Sequence, residues 1–468
     1  MPPQTQQTPV WNEELIRRHD LAGPRYTSYP TAPQFKTDFD HSDWLAAVAR
    51  SNASGRPLSL YFHIPFCDTV CYYCGCNKII TANKQKALPY LESLHQEIEM
   101  QAKHIQTTRP VNQLHLGGGT PTYISDDQLS ALIRKIRAHF QLLDDDSGEY
   151  SIEIHPHTVN PQRLAHLRML GFNRLSLGVQ DFNPEVQRAV NRFNSHEEVA
   201  TLVNAGRQLG FQSISLDLIY GLPKQSVEGF AATLNQVIEL RPDRLSLFNY
   251  AHMPHLFKVQ KQINANELPE PQDKLHILHN SIDQLMAAGY VYIGMDHFAL
   301  PEDELSQAQN QGKLHRNFQG YATHGNCDLL AFGLSSISSI DNTFSQNAKD
   351  LEQYIQPIRN GHLSITKGIT LCEDDLIRRR VINALICHFE LDFDEISEQC
   401  QINFKNYFAK ELASLHSLAD DHLISLYESR MTVSDTGRLL IRRICMTFDA
   451  YLQNRIEHAE SPRYSRII

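Results

Sequence analysis

Residues 61–76 read Y-F-H-I-P-F-C-D-T-V-C-Y-Y-C-G-C and contain four of the nine cysteines of the chain, Cys67, Cys71, Cys74 and Cys76. The run that leads into them, residues 58–64, is apolar enough to form a buried strand. Thiolates are soft ligands that bind zinc and iron–sulfur clusters. A strand that delivers several of them to the loop at its end therefore predicts a metal site.

The spacing of these cysteines favours an iron–sulfur cluster over zinc. Structural zinc usually takes its ligands from two separated pairs, whereas this chain has one compact C-x3-C-x2-C and no second C-x2-C. Three thiolates suit a four-iron cluster, which then keeps one iron open. Cys76 follows Cys74 too closely to close easily around one small ion. A structural zinc knot, or buried thiols without a metal, is the alternative that the residues leave open.

Length and composition indicate a soluble globular protein of more than one domain, with 468 residues, 41% hydrophobic and 21% charged. No apolar run approaches the roughly 18 residues of a membrane span. Residues 1–9 lack a basic and then apolar signal, so we predict a cytoplasmic protein. An odd number of cysteines, five of them scattered, favours a reducing compartment. The net charge of −10 argues against a nucleic-acid partner.

Strand and helix patterns alternate from residue 58 to residue 295. Such units imply parallel strands joined by right-handed crossovers, with functional groups at the carboxyl ends of the strands. Six units predict an α/β fold, a partial (β/α)6 TIM-like barrel. The predicted strands are 58–64, 111–116, 150–154, 174–180, 213–220 and 245–250. The predicted helices include 88–102, one that Ser125 opens, 160–171, 195–210 and 272–288, with capping boxes formed by Ser125 with Gln128 and by Ser195 with Glu198.

The alternation fades after residue 298, and the chain becomes mostly helical after about residue 369. We predict helices at 374–387 and 437–452 and a two-stranded wing within 423–433. The predicted domains are an N-terminal arm at 1–50, a catalytic barrel with its extension at 51–365 and a mainly helical domain at 366–468.

Polar and glycine residues stand where the predicted strands end. Gly117, Gly118 and Gly119 follow the second strand, and glycines allow backbone to approach a ligand closely. Glu153 lies in an otherwise apolar third strand, and a buried acid needs a partner or a ligand. Taken singly, such residues can be satisfied core groups. As a set at one rim they indicate a ligand site, together with Gln180, Arg192 and Asp217.

The cysteine loop resembles the signature of radical S-adenosylmethionine (SAM) enzymes, C-x3-C-x-aromatic-C, with Tyr73 as the aromatic residue. This resemblance implies a [4Fe–4S] cluster bound by Cys67, Cys71 and Cys74. It also implies that the amino and carboxylate groups of SAM chelate the open iron. One electron then cleaves SAM to methionine and a 5′-deoxyadenosyl radical.

Nearly the whole chain resembles one radical SAM family, the oxygen-independent coproporphyrinogen III oxidases. The resemblance implies conversion of two propionates of coproporphyrinogen III to vinyl groups, giving protoporphyrinogen IX in anaerobic haem synthesis. It also implies a low-potential electron donor such as flavodoxin and a monomer. The segments that carry it include P-R-Y-T-S-Y-P-T from Pro24, C-Y-Y-C-G-C-N-K from Cys71, L-H-L-G-G-G-T-P-T from Leu114, D-L-I-Y-G-L-P-K-Q from Asp217 and H-R-N-F-Q-G-Y from His315.

The same resemblance assigns site residues. Cys76 is not a cluster ligand in this picture, and it is predicted to be catalytic together with Tyr61 and Glu153. Phe318 and Gln319 are expected beside a second SAM, and an arm with Arg25 and Tyr29 is expected to close over the substrate. The residues expected to hold SAM are Tyr61, Tyr73, Gly118, Gly119, Thr120, Glu153, Gln180, Arg192, Asp217, Ala251 and Ile337.

One departure from the family pattern and two rival hypotheses remain. Two residues after Glu153 the family usually has Asp-Pro-Arg, whereas this chain has His155, Pro156 and His157. The nearest rival is a haem chaperone of the same lineage, which shares the three cysteines but lacks Cys76 and the tyrosine-rich arm. The other is a non-enzymatic structural iron–sulfur or zinc protein, which leaves the glycine loop and the rim carboxylates unexplained.

Overall fold

The structure is a computed structural model that describes residues 9–457 together with Tyr464 and Arg466. The first eight residues of the predicted arm and most of the last eleven residues of the chain lie outside the described residues. The predicted division into arm, barrel and C-terminal domain stays a prediction. The chain forms two compact units: a barrel unit, Phe35–Gln284 with Asn326–Thr370, and a terminal unit, Met1–Gln34 with Leu285–Gly325 and Leu371–Ile468.

Six parallel strands form the centre of the barrel unit, and each pairs with the next along the chain. The prediction of six parallel strands is confirmed, with ends displaced by no more than two residues. Their carboxyl ends lie at one rim because all six run in the same direction. The strands are β1 (Leu58–Ile64), β2 (Pro110–Gly118), β3 (Glu149–Ile154), β4 (Arg174–Gln180), β5 (Ser213–Tyr220) and β6 (Arg244–Asn249).

Helices connect these strands and begin at the expected caps. Ser125 Oγ accepts the Gln128 N–H at 3.2 Å, and the Gln128 side chain accepts the Ser125 N–H at 2.9 Å. Ser195 and Glu198 form a second box of this kind. Five of the helices between residues 41 and 359 were not predicted, namely 41–54, 184–190, 227–240, 304–310 and 351–359. The helices between residues 41 and 359 are His41–Ser54, Leu88–Ala102, Asp126–His139, Pro161–Met169, Pro184–Val190, His196–Gln208, Val227–Leu240, Pro271–Ala287, Glu304–Asn310 and Leu351–Arg359.

Four further strands extend the sheet beyond β1, where the sequence predicted none. β7 (Asp328–Phe332) pairs parallel with β1 on the side opposite β2. β8 (Ile337–Ile340), β9 (Thr343–Asn347) and β10 (Ile365–Thr370) then follow as antiparallel neighbours. β7 and β9 are buried along their whole length, so they lack the alternation of apolar and polar residues that reveals a half-buried strand.

Core packing holds β7 against β1. Phe62 and Phe332 are fully buried, and their rings stack with centroids 4.7 Å apart. Burying a phenylalanine side chain contributes about 1.5–3 kcal/mol to stability. The added strands are therefore part of the core around β1, the strand that leads into the cysteine loop.

The terminal unit is mainly helical. The wing predicted within 423–433 is confirmed as antiparallel strands Ile424–Leu426 and Arg430–Val433, which Glu390–Asp392 joins as a third strand. Its principal helices are Glu13–His19, Glu373–His388, Phe393–Cys400, Phe404–Tyr407, Ala409–Asp420, Asp435–Leu439, Ile441–Cys445 and Ala450–Glu457, and its hairpins pair Val291–Gly294 with His297–Ala299 and His315–Asn317 with Gly320–Ala322.

The prediction of one continuous helix at 437–452 is wrong. The backbone leaves the helical conformation at Leu440, and again at Asp449, whose extended backbone has φ −86° and ψ 97°. The Asp449 carboxylate accepts the Leu452 N–H at 3.0 Å and the Tyr26 hydroxyl at 3.0 Å. Asp449 thus caps the following helix instead of continuing the previous one. Across the described residues, none of the helices is both long and apolar enough to span a membrane.

Glu97 is the buried centre of a hydrogen-bond network in the barrel unit. It lies in the helix Leu88–Ala102, and its side chain is inaccessible to solvent. The carboxylate accepts the Gly333 N–H at 2.8 Å, the Asn347 amide at 2.7 Å and the Tyr354 hydroxyl at 2.7 Å. Burial raises the pKa of Glu97, and these hydrogen bonds oppose that rise. One side chain therefore holds this helix against the strands and helix that follow β7.

We expect Glu97→Ala to lower the free energy of unfolding of the apo protein by about 3 kcal/mol or more, because three buried donors lose their acceptor. Urea denaturation followed by circular dichroism measures the change. Glu92→Ala alters an exposed residue of the same helix and should cost less than about 0.5 kcal/mol. Similar losses in the two variants would contradict the role given to Glu97.

Candidate active site

Two main-chain hydrogen bonds close the base of the cysteine loop. Residues 66–67 pair with residues 79–80 as a short parallel bridge. The Ile79 N–H donates to Pro65 O at 2.7 Å, and the Thr81 N–H donates to Cys67 O at 3.0 Å. Within the loop, the Cys74 N–H donates to Cys71 O at 3.2 Å. The cysteines therefore lie on a closed loop that directly follows β1.

Further contacts attach the loop to the turn after the helix Pro184–Val190. The Tyr72 N–H donates to Val190 O at 2.9 Å, and the Asn191 amide donates to Val70 O at 2.8 Å. Asn191 adopts a left-handed backbone with φ 53°, a conformation that asparagine tolerates better than most residues. These contacts fix the middle of the loop at the rim of the barrel.

The thiols of Cys67, Cys74 and Cys76 differ in acidity. Burial raises the pKa of Cys67 to about 11. A hydrogen bond from the Cys76 thiol is the main cause that lowers the pKa of Cys74 to about 6, and burial opposes it. The same bond raises the pKa of Cys76 well above its usual value. Because the thiolate is the form that binds metal, Cys74 is better prepared as a ligand than Cys67 or Cys76.

Two side chains donate hydrogen bonds to the other cysteine sulfurs. Thr120 Oγ1 lies 3.5 Å from Cys67 Sγ, and Arg192 Nη1 lies 3.8 Å from Cys71 Sγ. Arg192 is buried, and another nitrogen of its guanidinium donates to Gly178 O. A fixed cation beside the thiols favours their negative form. The loop is therefore surrounded by donors suited to an anionic sulfur group.

The glycine loop after β2 packs so closely that side chains are excluded. A Cβ atom on Gly119 would lie 2.7 Å from Pro65 O, and one on Gly118 would lie 2.7 Å from the His63 ring. Gly118 also has φ +115°, a conformation that side chains disfavour. Contacts with the backbone at Pro65 and with the His63 ring therefore explain why Gly118 and Gly119 lack side chains, without requiring a ligand.

Glu153 faces the cavity as an oriented carboxylate. Its Oε2 accepts the Gly118 N–H at 3.0 Å, and its Oε1 lies 3.2 Å from His115 Nε2. Burial alone would raise its pKa, but the contacts with His115 and Gly118 lower it below the usual value. Its side chain is 42% exposed, so one face remains free to contact a ligand. Glu153 is therefore an anion at neutral pH.

Asp217 on β5 has the opposite shift. Burial raises its pKa to about 6, although Ser176 Oγ donates to its Oδ2 at 2.9 Å. The nearby charge of Glu153 raises the pKa further. The rim therefore holds one acid that is ionised and one that titrates close to neutral pH.

These residues line one cavity of about 1080 Å³ at the carboxyl ends of the strands. Twelve residues predicted from the sequence line it, namely Cys67, Cys71, Tyr73, Cys74, Cys76, Gly118, Gly119, Thr120, Glu153, Gln180, Arg192 and Asp217. Residues predicted at the ends of successive strands thus line a single cavity. His155 and His157 line it too.

Three predicted residues of the barrel unit are outside the described lining of this cavity. Tyr61 stacks on His115 with ring centroids 5.8 Å apart, so it contacts the residue that orients Glu153. The Ala251 carbonyl accepts from Gln260 at 3.3 Å, and Ile337 begins β8. Phe318 and Gln319 lie in the hairpin turn that joins two strands of the terminal unit. Their roles, and the closing of the arm with Arg25 and Tyr29, stay predictions.

Sequence reasoning missed His115 and Ser176, which orient Glu153 and Asp217. A signal for both was present. Side chains alternate across a strand, so His115 lies on the same face of β2 as Gly117, and Ser176 pairs in register with Glu153. Polar residues near the ends of the strands that lie on the same face as a candidate site residue therefore belong to the candidate site as well.

Orphaned polar atoms in the cavity indicate that it binds a polar ligand. His155 Nδ1, Gln180 Oε1 and Arg192 Nε are buried without a hydrogen-bond partner. Buried polar atoms of this kind usually have a partner, and these three belong to residues that line one cavity. Three thiols on one loop supply the soft ligands that an iron–sulfur cluster requires. The residues present therefore fit a cluster with a polar organic ligand beside it.

Comparisons with known proteins agree with this site. A family model described as Radical SAM superfamily matches residues 61–237, and one described as HemN C-terminal domain matches residues 371–440. The oxygen-independent coproporphyrinogen III oxidase of Pseudomonas aeruginosa is 52% identical over 98% of this chain and 99% of its own length. That of Escherichia coli is 51% identical, over 98% of each chain. The solved structure of coproporphyrinogen III oxidase (HemN) from Escherichia coli, described as a radical SAM enzyme, has a TM-score of 0.91 and 50% identity, over 95% of this chain and all of that chain.

The parallel barrel with a three-cysteine loop at its rim is that of a radical SAM protein, and the predicted fold class is confirmed. Within this superfamily the chain belongs to the family of oxygen-independent coproporphyrinogen III oxidases. The haem chaperone hypothesis is not supported. The relatives that match over nearly the whole chain are named as oxidases.

The raised pKa of Asp217 predicts a pH-dependent stability. Between about pH 4 and pH 6 the unfolded chain ionises this carboxyl while the folded protein keeps it protonated, so its contribution to stability is lost as pH rises. We expect Asp217→Asn to gain stability relative to the wild type over this range. Urea denaturation of the apo proteins at several pH values measures the difference. Asp127→Asn, at an exposed position, is the control, and a difference for Asp217→Asn that does not change with pH would contradict the assignment.

Proposed function

We propose that this protein is an oxygen-independent coproporphyrinogen III oxidase. It converts two propionate side chains of coproporphyrinogen III to vinyl groups by oxidative decarboxylation, giving protoporphyrinogen IX for haem synthesis without oxygen. The observation that carries the proposal is a three-cysteine loop that opens into a cavity lined by an ionised Glu153 and a buried Arg192. Similarity over almost the whole length of the oxidases supports the substrate.

The family implies a [4Fe–4S] cluster and SAM as cofactors. We assign Cys67, Cys71 and Cys74 as the cluster ligands. The three line one cavity, and Cys74 has the lowest pKa of the loop thiols whose pKa is shifted. Held by these residues, a [4Fe–4S] cluster and SAM would supply the radical chemistry that removes a hydrogen from the β-carbon of a propionate. Arg192 stabilises the negative charge of the sulfur ligands.

SAM has an ammonium group and ribose hydroxyls, which an ionised carboxylate recognises. Glu153 is held as such a carboxylate by His115 and by the Gly118 N–H. Gln180 and Arg192 present buried polar atoms without partners in the same cavity. We assign the SAM contacts to Tyr61, Tyr73, Gly118, Gly119, Thr120, Glu153, Gln180, Arg192, Asp217, Ala251 and Ile337.

A second SAM, the electron donor, the oligomeric state and the compartment belong to the proposal as well. The cavity of about 1080 Å³ lies at the upper limit of the range of about 300–1000 Å³ typical of small-molecule sites, and the second SAM is proposed from the resemblance to the family. Asp68 and Thr69 of the cysteine loop are exposed, which leaves room for a flavodoxin-like donor. We propose a cytoplasmic monomer, for which the odd number of cysteines and the acidic net charge are the support.

Tyr61 and Cys76 are proposed to be catalytic beside Glu153. Burial raises the pKa of Tyr61 well above its usual value, so its hydroxyl stays protonated, and it lies 3.1 Å from His63 Nδ1. Cys76 also keeps its proton, because its thiol donates to Cys74. Both residues thus offer a hydrogen atom or a proton beside the cluster loop.

We expect Cys71→Ser to lose both the cluster and turnover, because a hydroxyl is a poor ligand for iron in such a cluster. The assay combines reconstituted protein, a low-potential reductant, SAM and coproporphyrinogen III without oxygen, and it counts iron, methionine and vinyl products. Cys400→Ser, far along the chain in the terminal unit, should behave as the wild type. Full activity of Cys71→Ser would refute the ligand assignment. Wild-type protein that binds haem but releases no vinyl product would favour the chaperone.

Cys76→Ser should keep its iron but impair decarboxylation. The substitution removes the thiol that lowers the pKa of Cys74 without removing a proposed cluster ligand. Iron content, the electron paramagnetic resonance spectrum of the reduced cluster and product formation are measured on one preparation. Loss of iron from this variant, with Cys400→Ser unaffected, would make Cys76 a ligand instead.

A further inference from the structure

We propose that Arg316 in the terminal unit binds a propionate carboxylate of the porphyrinogen substrate. The identity of the anion rests on the proposed function, whereas the need for an anion rests on the surroundings of Arg316 alone. Arg316 lies in the first strand of the hairpin that pairs His315–Asn317 with Gly320–Ala322.

The guanidinium of Arg316 is buried and lacks hydrogen-bond acceptors. Only 7% of the residue surface is exposed, and its Nε and Nη1 are buried without a hydrogen-bond partner. The residue's main-chain N–H is satisfied by Asn383 Oδ1 at 3.4 Å. Burial of a charged donor without an acceptor is costly, so buried charges are almost always paired or bound to a ligand. Arg316 is an exception that calls for an anion.

Tyr321 holds Arg316 in position without satisfying its donors. The guanidinium carbon lies 4.7 Å from the centroid of the Tyr321 ring, a cation–π contact. The ring is itself fixed, because the Tyr321 hydroxyl donates to Ile386 O at 2.8 Å. A contact with an aromatic face holds the planar guanidinium in place without using its N–H groups. That geometry suits a carboxylate, which a guanidinium can bind through two parallel hydrogen bonds.

Among the described residues, no carboxylate accepts a hydrogen bond from the Nε or Nη1 of Arg316. Asp296, the acid on which Arg25, Arg316 and Arg442 all act, forms its ion pair with Arg25. Arg442 donates to main-chain carbonyls, among them Pro24 O at 2.9 Å. Three guanidinium groups therefore act on the Asp296 carboxylate. Burial, and then the charge of Arg25, lowers the pKa of Arg442 to about 10, as expected where positive charge is in excess.

This excess charge can be reached from solvent. The Arg25 side chain is 35% exposed, whereas that of Asp296 is 15% exposed. Arg25 is thus the open member of the cluster and Arg316 the buried one. A substrate that carries four carboxylates, of which two survive both decarboxylations, offers the anion that Arg316 lacks. Arg316 therefore favours ligands that carry a carboxylate.

The test measures the affinity of the anaerobic holoenzyme for coproporphyrin III, the stable oxidised form of the substrate, by fluorescence quenching. Arg316→Met should weaken binding by about tenfold or more, as expected for loss of a charged hydrogen-bonded pair. Arg316→Lys keeps the charge but loses the fork, so it should bind severalfold more weakly than the wild type. KM for coproporphyrinogen III should rise in parallel, while iron content and substrate-free SAM cleavage stay unchanged.

Arg443→Met is the matched control. Arg443 is another partly buried arginine of the terminal unit whose Nε lacks a partner, but it is not among the groups that act on Asp296. Wild-type affinity in Arg316→Lys, or an equal loss in Arg443→Met, would overturn the proposal, even if Arg316→Met does not fold. A wild-type protein that binds coproporphyrin III through Arg316 but forms no vinyl product would instead refute the proposed function and leave this site standing.

Discussion

The closure of the cysteine loop is the constraint on which the site depends. Three sulfur atoms can face one cluster only if the loop that carries them is held at both ends. The hydrogen bonds from Ile79 to Pro65 and from Thr81 to Cys67 provide that closure directly at the end of β1. β1 in turn pairs with β2 on one side and β7 on the other, so the loop follows an interior strand of the sheet. Its position is therefore fixed by the core rather than by the loop sequence.

The hydrogen-bond partners of the acidic side chains determine the charges in the cavity. Glu153 is kept ionised by donors from His115 and Gly118, whereas Asp217 is buried with weaker compensation and titrates near neutral pH. Arg192 brings the only guanidinium that donates to a cysteine of the loop among the described residues. The cavity thus combines a fixed cation at the sulfur side with a fixed anion at the rim. This separation of charge matches a ligand that has both an anionic and a cationic end, as SAM has.

His155 is a neutral member of the cavity lining. Burial, reinforced by Arg192 and His157, lowers the pKa of His155 to about 3, so the ring is uncharged at neutral pH. His157 lies 3.1 Å from Glu198 through its Nδ1 and points partly to solvent. Glu153 keeps its contacts with His115 and the Gly118 N–H in the same cavity.

The sequence was sufficient for features that depend on neighbours along the chain. The cysteine spacing, the glycine loop, the segments that form the six strands and the helix caps at Ser125 and Ser195 are patterns of neighbouring residues, so they can be recognised from the sequence. Tertiary packing decided the rest. Glu97 finds the Gly333 N–H 236 positions away, β7 becomes a strand because β1 offers it an edge, and Arg316 lacks an acceptor because Asp296 is held by Arg25. Such pairings arise only when the folded chain brings distant residues together, so no pattern along the sequence predicts them.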